Sequence, residues 1–468
     1  RIHRRRVPKM FYDYAESGSW TEQTFRENTS DFDQIRLRQR VAVDMSGRST
    51  ATQMIGHDVS MPVALAPVGL TGMQHADGEV KAARAAEAFG VPFTLSTMSI
   101  NSIEDVAQAT NKPFWFQLYT MRDQDYVSRL IERARAAKCS ALVITLDLQI
   151  LGQRHKDLKN GLSAPPKLTP STIANLMTKW RWGIEMLQTK NRSFGNIVGH
   201  VEGVSDTANL GAWTAEQFDP TLDWNKIARI KEQWGGKVIL KGILDAEDAR
   251  MAMKVGADAI IVSNHGGRQL DGALSSIRVL PSILDAVGDQ VEVHLDSGIR
   301  SGQDVLKAMA MGAKGTYIGR AFIYGLGAMG QAGVTRARGY PQGAGHHHGP
   351  VRRDKSHQSG PPQPAGAKRF RGRLAGLMLV FSAQNLVLFS VPKTGSTAME
   401  VALKPWADIA FYKQRKHTPV GRYQHKIAPF LRTAYGLEPE TMAVIRAPLD
   451  HLRSWYRYRA TTLDVDFD

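Results

Sequence analysis

A single cysteine, Cys139, stands in a chain of 468 residues. An intrachain disulfide is thereby excluded, and a reducing compartment fits. No run of 18 or more apolar residues occurs, so no membrane-spanning helix is expected. The glycine pattern GxGxxG does not follow the first strand-like segment, which leaves a nicotinamide-binding fold without support. Neither a methionine nor an apolar signal region opens the chain at Arg1, and the expectation is a sequence lacking its first residues. Acidic residues are scarce toward the other end. Residues 338–468 carry 20 Lys/Arg against 9 Asp/Glu, a net +11 of the chain's +16, which leaves +5 for residues 1–337. The basic balance belongs to a tail, so nucleic acid is not an expected partner. An apolar content of 43% with 22% charged residues is that of a globular protein, long enough for two or three domains.

Short apolar segments recur at 62–66, 92–96, 113–118, 141–146, 237–241, 258–262, 291–296 and 315–319. They are strand-like, and the β-branched run Ala259-Ile260-Ile261-Val262 reads as a buried parallel strand. Helical patterns fill the intervals at 77–89, 102–110, 123–137, 225–234, 245–255, 277–286 and 302–311, with another at 321–336 after the last strand. Asp123, Asp245 and Ser301 stand where N-caps belong. Eight strand–helix alternations predict an α/β fold, a (β/α)8 TIM barrel, with a doubly wound open sheet as the alternative. An N-terminal helical segment begins near Pro8–Gly18. A long excursion, 153–224, follows the fourth strand and holds an apolar helical piece at 172–188. Its Lys179-Trp180-Arg181-Trp182 stretch suits either a cover over the barrel mouth or a membrane surface.

A barrel places its chemistry at the C-terminal ends of its strands. Polar residues collect there: Ser96 after the second strand, Gln117 and Tyr119 at the third, Thr145, Asp147 and Arg154 after the fourth, and Lys241 at the fifth. His265 and Arg268 follow the sixth, Asp296 and Arg300 the seventh, and Gly319-Arg320 the eighth. The run Ser263-Asn264-His265-Gly266-Gly267-Arg268-Gln269-Leu270-Asp271 is the centre of this set. An imidazole can take a proton near neutral pH, and a guanidinium can grip a carboxylate with paired hydrogen bonds. Two glycines between them allow a sharp turn. Those residue types at that spacing suit deprotonation of a small anionic acid held in a fixed pose.

The SNHGGRQLD run, DSGIR at 296–300, IGR at 318–320 and FQLY at 116–119 resemble the FMN-dependent L-2-hydroxy-acid dehydrogenases and oxidases. KGILDAEDAR at 241–250 and the long excursion resemble the bacterial, quinone-linked branch of that family that acts on L-lactate. The resemblance spans residues 1–337. It implies FMN as cofactor, a small 2-hydroxy acid as substrate and a quinone or other respiratory-chain acceptor. It further implies a homo-oligomer, in the cytoplasm or peripheral at the inner face of the plasma membrane. It implies that His265 is the base, that Asp147 holds its imidazole and that Tyr119 bonds the substrate hydroxyl. Arg268, Tyr14 and Arg154 would hold the carboxylate. Ala66, Pro67, Ser96, Gln117, Thr145, Lys241 and Ser263 would bind the ring and ribityl chain, with Lys241 near its N1/O2 edge. Asp296, Gly298, Arg300, Gly319 and Arg320 would bind ribityl and phosphate groups.

After Ala337 the family pattern stops. Residues 338–377 are rich in Gly, Pro, His and Arg and read as a disordered basic linker that leaves the last barrel helix incomplete. The His346-His347-His348 tract is assigned no metal. The run Gly343–Gly349 can be encoded so that a one-base shift reads Glu-Leu-Asp-Thr-Thr-Met, an amphipathic run, which points to a frameshift. Met378 suits the start of a separate reading frame, making the chain a read-through product. Residues 378–468 then read as a partial α/β, P-loop-like fragment. A strand at 386–391 precedes Pro392-Lys393-Thr394-Gly395-Ser396-Thr397 and a helix from Ala398. Strand, loop and helix make an anion cradle, although the first glycine of a Walker A motif is missing. The loop resembles that of sulfotransferases. Lys393, Thr394, Gly395, Ser396 and Thr397, with Arg446 and Ser454 farther on, would then meet 3′-phosphoadenosine-5′-phosphosulfate. The fragment is too short for a whole transferase domain, and an inactive appendage is expected.

Overall fold

The computed structural model describes residues 2–39, 41–162, 169–201 and 217–347, with 378–381, 386–389, 409–411, 428, 431–432 and 440–443. The chain divides into two compact units, Arg1–Arg353 and Asp354–Asp468.

In the first unit the strands are β1 (Thr52–Met54), β2 (His57–Val59), β3 (Val63–Leu65), β4 (Thr94–Ser96), β5 (Trp115–Tyr119), β6 (Ala141–Thr145), β7 (Lys237–Ile243), β8 (Ala259–Val262), β9 (Glu292–Leu295) and β10 (Gly315–Ile318). Strands β3 to β10 form one parallel sheet in the order β3-β10-β9-β8-β7-β6-β5-β4. A parallel bridge between Leu65 and Phe93 links its two outer strands. The sheet therefore curls back on itself, which excludes the doubly wound alternative. All eight expected strands are present, and the expected caps hold the helices that follow. Tyr126 N donates to Asp123 at 2.8 Å, Glu247 N donates to Asp245 at 2.8 Å, and Ser301 with Asp304 completes a reciprocal capping box.

Strand alternation sorts the side chains. Val63, Leu65, Phe116, Leu118, Leu142, Ile144, Leu240, Ile260 and Val262 point outward and pack against the surrounding helices. Ala64, Ala66, Trp115, Ala141, Val143, Ile239, Ala259, Ile261 and Tyr317 fill the interior as a separate apolar cluster. The β1–β2 hairpin contributes Met54 and Ile55 to that cluster and closes the barrel floor. The interior phase continues upward into Gln117, Thr145, Lys241, Ser263 and Asp296, all buried. The interior is mainly apolar below, with His294 bonded to the Tyr317 hydroxyl and to Glu292 as a polar exception, and polar at its C-terminal mouth.

Two expectations are corrected. The apolar piece 172–188 is not one helix: Pro170–Met177 and Trp180–Gln188 are separated by a turn at Thr178-Lys179. The last barrel helix does not end at Ala337. Its backbone is helical from Arg320 to His347, with non-helical angles at Met329 and Gly330, so the linker reading fails for 338–347.

In the second unit, β11 (Met378–Phe381), β12 (Leu386–Phe389), β13 (Ile409–Phe411) and β14 (Glu440–Ala443) form a sheet ordered β13-β11-β12-β14, with β12 and β14 parallel. The expected strand at 386–391 corresponds to β12. The loop Lys393, Thr394, Gly395, Ser396, Thr397 and the residues Arg446 and Ser454 lie outside the described residues, and no role is proposed for them. The rest of the 348–377 linker lies outside them as well.

Candidate active site

Strand β8 ends at Val262, and its next inward position is Ser263. His265 then adopts a left-handed φ of +57°, unusual for a residue with a side chain. Its N–H donates to Ser263 Oγ at 3.1 Å. Gly266 and Gly267 continue the left-handed turn. A Cβ on Gly267 would lie 2.5 Å from the Phe25 backbone, so this glycine is required by the close approach of the N-terminal segment. The turn brings His265 Nδ1 within 2.9 Å of Asp147 Oδ1. Asp147 sits just past β6, and its approach uses Gly242, whose φ is +111° and whose Cβ would meet the Asp147 side chain at 2.9 Å.

Charge in the site is organised around this pair. Burial works to raise the Asp147 carboxyl, but His265 and Lys241 outweigh it and hold the group ionised. Burial lowers the His265 imidazole, partly offset by Asp147, and Lys241 lowers it further. A neutral imidazole able to accept a proton is the result near pH 7. Lys241 is buried, bonds Ser263 Oγ at 2.7 Å and pairs with Asp296 at 3.1 Å. Burial opposes its charge, while Asp296 and Asp147 keep it protonated.

Arg268 and Arg154 converge on Tyr14, their guanidinium carbons 4.4 Å and 5.9 Å from its ring centre. Arg154 is oriented by Asp157 at 2.6 Å, a partner that the sequence reading missed although the three-residue spacing is visible. The phenol of Tyr119 is buried, and that burial raises its pKa, so it remains a proton-bearing donor. Ser96 Oγ donates to Gln117 Oε1 at 3.1 Å. Ala66 N bonds Ile318 O at 3.0 Å and lies across from Gly319, which brings the first and last barrel strands together at the mouth. Pro67 follows at the rim.

Three expected phosphate-side residues have structural partners. Arg320 donates to the carbonyls of Ala15, Gly266 and Ser17. Arg300 donates to Ile299 O and, through its N–H, to Asp304. Gly298, at φ +108°, packs so closely on Asn28 that a Cβ would overlap its carbonyl.

These residues fit a polar, anionic, planar group. Gln117 Nε2, Thr145 Oγ1 and Asp147 Oδ2 are buried at the mouth with no hydrogen-bond partner among the described residues. Burial, with Arg268 and Arg300 nearby, pushes the Arg320 guanidinium down to about 9, a crowding of cations that an anion would relieve. Unpaired buried polar groups beside crowded guanidiniums on one rim suit a phosphorylated cofactor.

Fold and site together define a cofactor-dependent barrel enzyme. Residues 3–340 match the FMN-dependent dehydrogenase family. The chain is 46% identical over 332 residues to an L-lactate dehydrogenase of Ectopseudomonas mendocina, covering 71% of this chain and 87% of that one. It is 47% identical over 335 residues to an L-lactate dehydrogenase of Haemophilus influenzae, with the same coverage. Among solved structures, the monotopic membrane protein (S)-mandelate dehydrogenase superposes with a TM-score of 0.69 at 34% identity, over 73% of this chain and 90% of that one. A mandelate oxidase with (S)-2-phenylpropionate gives 0.62 at 33%, over 74% and 90%. The chain belongs to the FMN-dependent dehydrogenase family: it is an oxidoreductase that uses FMN to oxidise a 2-hydroxy acid.

Proposed function

We propose that the protein oxidises L-lactate to pyruvate, with His265 as the base. The observation that carries this reading is the His265–Asp147 pair, 2.9 Å apart at the barrel mouth beside two arginines. Arg268 and Arg154 hold the substrate carboxylate over Tyr14. Tyr119 donates to the hydroxyl oxygen. The oxidation removes two electrons and two protons, and His265 Nε2 accepts one of those protons. Asp147 keeps the imidazole oriented through Nδ1 and stabilises the positive charge it gains. Bound FMN supplies the two-electron acceptor. Ala66, Pro67, Ser96, Gln117, Thr145 and Ser263 line the place for its ring and ribityl chain. Asp296, Gly298, Arg300, Gly319 and Arg320 take the ribityl and phosphate end. Lys241 is the fixed cation that favours accumulation of negative charge on the cofactor.

The electrons then pass to a membrane quinone, from a protein seated on the membrane surface. Met177, Trp180 and Leu187, on the two excursion helices, are exposed by 78%, 61% and 73%, with Lys179 and Arg181 beside them. Apolar side chains flanked by cations suit an anionic bilayer surface. No helix among the described residues is long and apolar enough to cross a membrane. The relative described as a monotopic membrane protein supports the same placement.

Anaerobic mixing of the FMN-loaded full chain with L-lactate tests the chemistry. The flavin absorbance bleaches in the wild type and does not bleach in His265→Ala on the same time scale. Equal bleaching in the two removes His265 from the base role.

A further inference from the structure

The reacting groups are divided between two loops. The loop after β6 carries Asp147 and leads to Arg154, and the loop after β8 carries His265 and Arg268. Both working pairs, His265 with Asp147 and Arg268 with Arg154, therefore span the two loops. Strand β7 lies between β6 and β8, so no sheet hydrogen bonds hold those loops in register.

Gln269 supplies the missing connection. Its side-chain Nε2 donates to Asp147 O at 2.7 Å and to Ile150 O at 3.0 Å. Its Oε1 accepts from Gly152 N at 3.2 Å. The residue is buried. Gly152 lies so close that a Cβ there would stand 2.2 Å from Arg268 O and 2.8 Å from Gln269 Cα, so the two backbones touch at this point. The Gln269 carbonyl accepts from Ser19 Oγ at 2.6 Å, and Trp20 N donates to Gln153 O at 3.0 Å. The segment bearing Tyr14 is tied into the same seam.

We propose that Gln269 is a positioning residue that sets the His265–Asp147 distance by clamping the backbone of the β6 loop to the β8 loop. Gln269 does not point at the reacting atoms; it acts through the carbonyl of Asp147 itself. A side chain of the same length without donors or acceptor takes this partner from the carbonyls of Asp147 and Ile150 and from the Gly152 N–H. The β6 loop then relaxes away and the carboxylate leaves Nδ1. The inference rests on the reading of His265 as the base, but its deciding measurement, the His265 titration, does not depend on substrate.

The test compares the FMN-loaded full chain with its Gln269→Met variant. The His265 imidazole is titrated by NMR on histidine-labelled protein, its resonance assigned by its loss in His265→Asn. Its surroundings are Asp147 from the β6 loop, Lys241 from β7 and Arg268 from its own loop. Retreat of Asp147 removes the one negative group among them, so the Gln269→Met titration moves to lower pH by about 1 unit. Flavin reduction by L-lactate slows by about 100-fold, the scale of a 1 Å misplacement, and flavin content is retained. A second variant, Gln269→Glu, sets a carboxylate against two carbonyls. Protonation returns one donor, so its rate relative to wild type rises as pH falls. An unchanged His265 titration in Gln269→Met overturns the proposal. A displaced titration in a wild-type background that L-lactate does not reduce upholds the seam and overturns the lactate reading alone.

Discussion

Replacing Asp147 with Asn tests the electrostatics of the site most directly. The substitution keeps the shape and an oxygen that can accept from His265 Nδ1, but removes the charge. In the wild type, oxygen and nitrogen are 2.9 Å apart, and the Asp147 carboxyl is held ionised by His265 and Lys241 against its burial. When the imidazole takes a proton, the two charges attract. At an effective dielectric near 20 and a charge separation of about 4 Å the attraction is about 4 kcal/mol. Lys241 already satisfies part of the field of Asp147, so a loss of about 2–4 kcal/mol in the transition state is expected, or about 30–1000-fold in rate. Asp147 does not touch the carboxylate clamp, so the lactate concentration at half-saturation changes little. Without the negative partner the imidazole is harder to protonate, and the acid limb of the pH–rate profile moves to lower pH. Anaerobic stopped-flow measurement of flavin reduction across the pH range reads both effects. A rate within about 3-fold of wild type, far short of that span, or an acid limb that moves upward, refutes the assignment of Asp147 as the charge partner.

Lys241→Met strands Asp296 without its buried ammonium partner at 3.1 Å; a stability loss of about 3–5 kcal/mol is expected, read by denaturant unfolding, together with a flavin potential lower than wild type. Glu104→Gln removes the carboxylate that Arg133 grips at 2.7 Å. Because hydrogen bonding to Arg133 depresses the Glu104 carboxyl to about 2, its contribution is complete above the ordinary carboxyl range and is lost as pH falls through about 2. Glu104 is nearly half exposed and solvent screens the pair, so the variant is less stable by about 1 kcal/mol at neutral pH, and thermal melts show the difference closing as the acid end is approached.

The barrel was legible because parallel strands covered on both faces read as short apolar runs, β-branched at Ala259–Val262, with capped helices between them. Its mouth was legible because inward positions at the ends of five strands are polar: Gln117, Thr145, Lys241 and Ser263 share the phase of Trp115, Val143, Ile239 and Ile261, and Asp296 that of His294. Long-range pairing was not. Nothing local in Gln269 shows that its amide reaches Asp147 and Ile150, and nothing in Arg320 shows that it reaches Ala15 and Ser17. Those contacts depend on loops meeting across a closed sheet. The turn at Thr178-Lys179 carries no glycine or proline, so the apolar stretch reads as continuous. The helix beyond Ala337 was missed for the opposite reason, since its composition argued against a backbone that is nonetheless helical.

The guanidiniums of Arg268 and Arg320 close on the backbone carbonyls of Tyr14, Ala15 and Ser17. The opening residues of the chain are thus a working part of the mouth, laid across it like a keystone set last. Pruning them would free two cations to fold back into the cavity and loosen its grip on acids, at the further cost of the buried packing of Val7, Met10, Phe11 and Ala15.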